Sequence, residues 1–152
     1  SSTDIAIAIG NQMGLDLEKQ DISIAHPLPT YNTNTNRKRE INPKIIVKFT
    51  RRADRDNFYA NRRKVAGKKA SSLRHLDDLQ LDLSRKIYVS ESLTPLRKKL
   101  FANINKYKKE HKWKYIWSNN GRIYLRQNDD SRSYSFDSVE EFDKFKRRSF
   151  TR

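Results

Sequence analysis

The Asn120-Gly121 pair narrows the choice of fold more than any other feature of the chain. Asn-Gly suits the two central positions of a tight hairpin turn, where both residues need positive φ. Here Ser118-Asn119-Asn120-Gly121 stands between Tyr115–Trp117 and Arg122–Arg126, so an antiparallel hairpin is expected. Helical patterns lie on both sides of it, and the chain reads as an α+β protein.

Thr94-Pro95 is the second firm mark, because threonine caps a helix and proline fits its first position. The helix it opens runs to about His111, with Leu96, Leu100, Phe101, Ile104 and Tyr107 as its apolar stripe and Arg97, Lys98, Lys99, Lys106, Lys108 and Lys109 outward. A last helix is expected over Ser138–Lys146, with Val139, Phe142 and Phe145 inward, before a basic tail of Lys146, Arg147, Arg148 and Arg152.

The N-terminal part has weaker signals. Ile5, Ile7 and Ile9 alternate like a strand, whereas Ile5, Ile9 and Met13 fall at helical spacing; a helix over Ser2–Leu15 is preferred, capped by Ser2 or Thr3 and closed by Gly14. An edge strand follows at Asp21–Ala25, ended by Pro27 and Pro29. Tyr31–Asn42 is polar and reads as a mobile loop. Lys44–Thr50 alternates as a strand, with Ile45, Val47 and Phe49 on a core face and Lys44, Ile46 and Lys48 on a cationic one. A helix is expected from Ala53 to about Val65, where Gly67 stops it. Arg85–Val89 reads as a short strand after a polar stretch anchored by Leu76, Leu79, Leu81 and Leu83. With a boundary near Glu91, the expectation is two small domains, 1–90 and 91–152.

Function enters through charge. The 152 residues carry 33 Lys and Arg against 18 Asp and Glu, a net charge of +15. Repulsion on that scale calls for a polyanionic partner, and nucleic acid leads because each neutralised phosphate releases a counterion. An anionic membrane surface is the competitor. No run approaches the roughly 18 apolar residues of a membrane-spanning helix, and no signal-peptide pattern is present. The expectation is therefore an intracellular protein, nuclear or cytoplasmic, without a membrane partner. Absence of cysteine excludes disulfides and thiolate zinc sites. The chain starts at Ser1 and runs straight into a regular pattern, which reads as a fragment of a longer protein.

Basic residues interleaved with rings suit a single-stranded nucleic acid, since cations hold phosphates while rings stack on bases. The hairpin is richest in both, with Lys112, Lys114, Arg122 and Arg126 beside Trp113, Tyr115, Trp117 and Tyr124; alternation leaves one face core and one exposed without saying which. Arg97 and Lys98 open a helix whose N-terminus already favours phosphate, and Arg51 and Arg52 do the same for the preceding one. Arg37, Lys38 and Arg39 either clamp a strand or form a nuclear-import signal. Lys44, Lys48, Arg62 and Arg63 complete the candidate set, while Lys106–Lys109 reads as a solvated helix face. Chemistry is poorly served: His26, His75 and His111 are isolated, and Asp77-Asp78 and Asp129-Asp130 read as turn residues. No cofactor, metal site or enzymatic activity is expected.

The segments Asp21–Pro29, Ile45–Arg52 with Arg55–Tyr59, Ile87–Phe101 and Tyr115–Arg126 together resemble the nucleic-acid-binding part of first-open-reading-frame proteins of LINE-type, non-LTR retrotransposons, and the related baculovirus few-polyhedra protein. The resemblance spans nearly the whole chain. It implies an RNA-recognition-motif-like domain and a small C-terminal α/β domain, with single-stranded RNA or DNA held in a basic cleft. It also implies that Arg97 and Lys98 contact RNA, that Trp117 is the hairpin aromatic, and that the protein acts as a nucleic-acid chaperone in ribonucleoprotein assembly. Trimers in that family form through an upstream coiled coil, so any homo-oligomer would involve segments outside this chain. Two features depart from the pattern. No first strand precedes the Ser2–Leu15 helix, and Lys44 and Ile46 occupy the positions of the stacking aromatics on the third strand. Base stacking on that sheet is therefore not expected, and sequence selectivity should be weak. The competing classes are a protein-assembly module docking through the hairpin rings and an accessory gripping domain of a larger retroelement enzyme.

Overall fold

The computed structural model describes residues 1–28, 44–73 and 84–150. The chain divides into two compact units, Ser1–Val89 and Ser90–Arg152. Among the described residues are four α-helices and two antiparallel sheets, one of two strands and one of three, so the protein is α+β.

The first unit opens with helix α1, Ser2–Gln12. Ser1, rather than Ser2 or Thr3, is its cap: the Ser1 hydroxyl accepts from the Asp4 amide at 3.2 Å and the Asp4 carboxylate answers in a capping box. At the far end Leu15 N–H bonds the Gly10 carbonyl at 2.9 Å and Gly14 N–H bonds that of Asn11 at 3.0 Å. Gly14, at φ 87°, provides the left-handed residue this closure needs.

Strand β1 covers Ile22–Pro27 and β2 covers Ile45–Phe49, paired antiparallel with an irregularity between Ile22 and Ile24. β1 therefore runs past Ala25. His26 and Pro27 remain in register with Ile46 and Ile45, which an edge position at the strand end allows for a residue without N–H. Helix α2 spans Arg52–Ala60 and gives way to a 3₁₀ turn at Arg62–Val65, so the expected single helix is two pieces. Both carry core residues, Phe58 and Val65. Arg85–Val89 forms no strand; its ladder is the single antiparallel bridge Lys69↔Lys86, because the facing segment, Ala70–Ser72, turns into a 3₁₀ helix. The core joins Met13, Leu17, Phe58, Val65, Leu73 and Ile87, with Phe49 stacked obliquely on Phe58 at 5.3 Å. Expectations for Tyr31–Asn42 and for Leu76, Leu79, Leu81 and Leu83 lie outside the described residues.

The second unit follows its punctuation closely. Helix α3, Pro95–Glu110, has Thr94 as cap, its hydroxyl accepting from Arg97 N–H at 3.3 Å. Leu100, Ile104 and Tyr107 are buried, but Leu96 is 79% exposed. In that first turn it is Arg97 that reaches the hairpin, through the Gly121 carbonyl. Strands β3, Tyr115–Asn119, and β4, Arg122–Arg126, meet at Asn120 and Gly121, with φ of 51° and 80°. Two positive φ values give the type I′ turn that Asn-Gly favours. A third strand, β5 at Ser133–Phe136, pairs with β4 and turns the hairpin into a meander. Helix α4, Val139–Phe150, carries Phe142 into the core, while Val139 stays 39% exposed at its first position. The supposed basic tail is helical from Lys146 to Arg148.

Candidate nucleic-acid interface

Burial along β4 alternates strictly: Ile123 and Leu125 are fully buried, whereas Arg122, Tyr124 and Arg126 are half-buried on the opposite face. Register then assigns the neighbours. Tyr115 lies opposite Arg126, Trp117 opposite Tyr124, and Asn119 opposite Arg122, while β5 places Ser135 beside Tyr124 and Ser133 beside Arg126. The outer face of this sheet thus holds three rings and two guanidinium groups, backed by a core of Leu100, Ile104, Ile123, Leu125, Phe136 and Phe142.

Trp117 and Tyr124 stack on one another, nearly parallel at 7° with centroids 5.3 Å apart. That separation is an offset stack, in which each ring keeps part of its surface for a further planar group. Trp113 has the opposite fate. It lies before β3 and packs against the core beside Tyr107, Tyr134 and Phe145, whereas burial of Ile123 and Leu125 leaves Trp117, paired with Tyr124, on the outer face.

The two arginines of the face are held in place. Arg122 donates to Ser135 Oγ at 3.1 Å and lies 3.9 Å from the Glu141 carboxylate. Arg126 donates from Nε to the Ser131 carbonyl at 2.9 Å and from its second arm to the Asp129 carbonyl, with its guanidinium 5.9 Å from the Tyr115 ring centre. Below it, Asp129 accepts from the Tyr115 hydroxyl and from Lys114 Nζ, the latter at 2.9 Å. The Tyr115 bond first, then that of Lys114, holds the Asp129 carboxyl below its ordinary range; the same Asp129 bond raises the Lys114 ammonium above its own. This cluster was missed in the sequence, where nothing marks Asp129 as the partner of residues fourteen and fifteen positions earlier.

Arg97 is more deeply engaged than its place on a helix N-terminus suggests. Its guanidinium pairs with Asp137 at 2.7 Å and bonds the Gly121 carbonyl, while Glu91 accepts from the Asn120 and Gly121 amides at 2.8 and 3.3 Å. Together these groups clamp the hairpin turn. Lys98, one position on, is exposed.

In the first unit the candidates separate in the same way. Arg51 bridges Asp21 and Asp54, each at 3.1 Å, and its proton is held more firmly by Asp54 first and Asp21 second. Arg52 lies 3.9 Å from Asp56. Arg62 covers the Tyr59 ring, 3.9 Å from its centre, and donates to the Tyr59 carbonyl at 3.0 Å. Lys44, Lys48 and Arg63 are exposed. Arg37, Lys38 and Arg39 lie outside the described residues. Among the described residues no group of three or more metal-ligating side chains gathers, and no helix is long and apolar enough to cross a membrane.

Residues 94–146, nearly all of the second unit from the α3 cap onward, match the family model of baculovirus FP protein domain 2. No curated protein and no solved structure matches the chain.

Proposed function

We propose that this protein binds single-stranded RNA or DNA with little regard for sequence, using the outer face of the three-stranded sheet. The observation that carries the reading is the Trp117–Tyr124 stack on the half-buried outer face of the sheet, between Arg122 and Arg126. A base extends such a stack whatever its identity, while adjacent guanidinium groups take phosphates. The net charge of +15 supplies long-range attraction to a polyanion. Arg97, tied to Asp137, serves this face chiefly by fixing the turn between its strands.

The wider resemblance to LINE-type first-open-reading-frame proteins supports a role in ribonucleoprotein assembly or as a nucleic-acid chaperone of a mobile element. The order of α1, β1, β2 and α2 supports an RNA-recognition-motif-like first unit. On this reading the protein binds nucleic acid rather than catalysing a reaction, and works in the nucleus or cytoplasm.

The test is a salt series of binding to a labelled oligouridylate and its deoxy counterpart. Wild type should bind with affinity falling steeply as salt rises, and Trp117→Ala should lose about tenfold at fixed salt. Absence of binding at low salt would sink the reading and favour a protein-docking role.

A further inference from the structure

Tyr88 leaves 85% of its surface in water, more than any other large apolar side chain among the described residues. Its exposure belongs to a pinned backbone. Ala70 N–H bonds the Arg85 carbonyl at 2.8 Å and Ile87 N–H bonds the Lys68 carbonyl at 2.9 Å, with Lys69 and Lys86 paired between them. Ile87 is turned into the core at 9% exposure, so its neighbours Lys86 and Tyr88 are left in solvent. Lys68 is tethered as well, its Nζ 2.9 Å from the side-chain oxygen of Gln12 in the amide orientation that satisfies both groups.

The two described segments that meet at this bridge are themselves basic. Neither Arg62–Leu73 nor Ser84–Val89 contains an Asp or Glu, and Lys69, Lys86 and Arg63 are all exposed. Tyr59, the other tyrosine of this unit's described part, has its ring covered by Arg62. Tyr88 is thus a ring held out on an ordered segment, beside lysines set across a backbone bridge. A ring flanked by cations is the minimal element of a single-strand contact, one base on the ring and its phosphates on the ammonium groups.

We propose that Tyr88, Lys69 and Lys86 form a second single-strand contact, in the first unit, additional to the Trp117–Tyr124 face. This rests on the reading that the protein binds single strands, and gives the first unit a part in it. Two contacts on one chain raise affinity for strands long enough to engage both.

The 152-residue chain is titrated with a labelled oligouridylate and with an abasic strand of the same length. Tyr88→Ala should weaken oligouridylate binding about tenfold and leave the abasic strand unaffected, whereas Tyr88→Phe keeps wild-type affinity. A Lys69→Gln, Lys86→Gln variant should flatten the log–log salt slope by about 1.4, at roughly 0.7 per phosphate contact. Unchanged melting temperature in Tyr88→Ala checks folding. Wild-type affinity of Tyr88→Ala for oligouridylate, or equal loss on both strands, overturns the proposal. If Trp117→Ala loses binding and Tyr88→Ala does not, this second contact alone fails; if wild type binds neither strand, the proposed function fails with it.

Discussion

In the core of the second unit, rings meet rings: Phe142 packs edge-on against Tyr107 at 5.6 Å and against Phe136 at 5.2 Å, and Phe145 joins them. Among the described residues, the first unit's core has one ring pair, Phe49 tilted against Phe58, beside Met13, Leu17, Val65, Leu73 and Ile87. Among the described residues, sheet size follows the same division, three strands against two. A two-stranded sheet is marginal by itself and needs helices to cover it. In a chain with only 35% apolar residues, large rings let one short segment bury a full core and still leave Trp117 and Tyr124 for the surface. Among the first unit's described residues, Tyr59 has Arg62 over its ring and Tyr88 stands exposed.

Removing one side chain from each core should break the comparison most visibly. Phe142→Ala is expected to cost about 4 kcal/mol and Met13→Ala about 3 kcal/mol, since both are almost fully buried. Amide exchange should show the largest loss of protection within the unit that carries the substitution. Equal loss throughout the chain would mean that the two cores are one cooperative whole.

The glycines that close local structure give a smaller effect with a built-in control. Gly121 and Gly14 both sit at positive φ, but a Cβ on Gly121 would lie 3.2 Å from Arg97 Nε, whereas nothing stands within 4 Å at Gly14. Gly121→Ala should therefore cost about 2 kcal/mol and Gly14→Ala about 1 kcal/mol, measured by denaturant unfolding. Parity between them would show that Arg97 yields without cost.

Helix α3 ends without a glycine. Trp113 N–H returns to the Lys108 carbonyl at 2.9 Å, and the left-handed residue between is Lys112, at φ 57°. Lys112→Gly should raise stability by about 0.5 kcal/mol, the relief of left-handed strain exceeding the extra entropy of the unfolded chain. A lower melting temperature would contradict this.

Legibility in the sequence tracked local chemistry. Thr94-Pro95 and Asn120-Gly121 act through their own backbone geometry, so α3 and the hairpin turn could be located from the residues themselves. Strand β5 was missed because Ser133–Phe136 offers four residues of alternation, too few to stand out without its neighbour β4. Arg85–Val89 erred the other way: its alternation was real, as buried Ile87 and exposed Tyr88 attest, but among the described residues it faces only the single bridge position Lys69. At the candidate site, Trp117 and Tyr124 could be named but not assigned a face, because only tertiary burial of Ile123 and Leu125 decides it. Charge partners were invisible. Arg97 reads as a free phosphate ligand until Asp137, forty residues away in the chain, is seen against it.

The most direct test uses the protein's own fluorescence. Of the two tryptophans, Trp113 is packed against the core and Trp117 lies on the sheet's outer face. A Trp113→Phe variant makes Trp117 the sole tryptophan, and its emission is followed as oligouridylate is added while binding is measured independently by anisotropy of the labelled strand. Quenching that saturates along the binding curve is the predicted result, since a base stacked on the indole drains its emission; binding with unchanged emission would place the strand elsewhere and contradict the account.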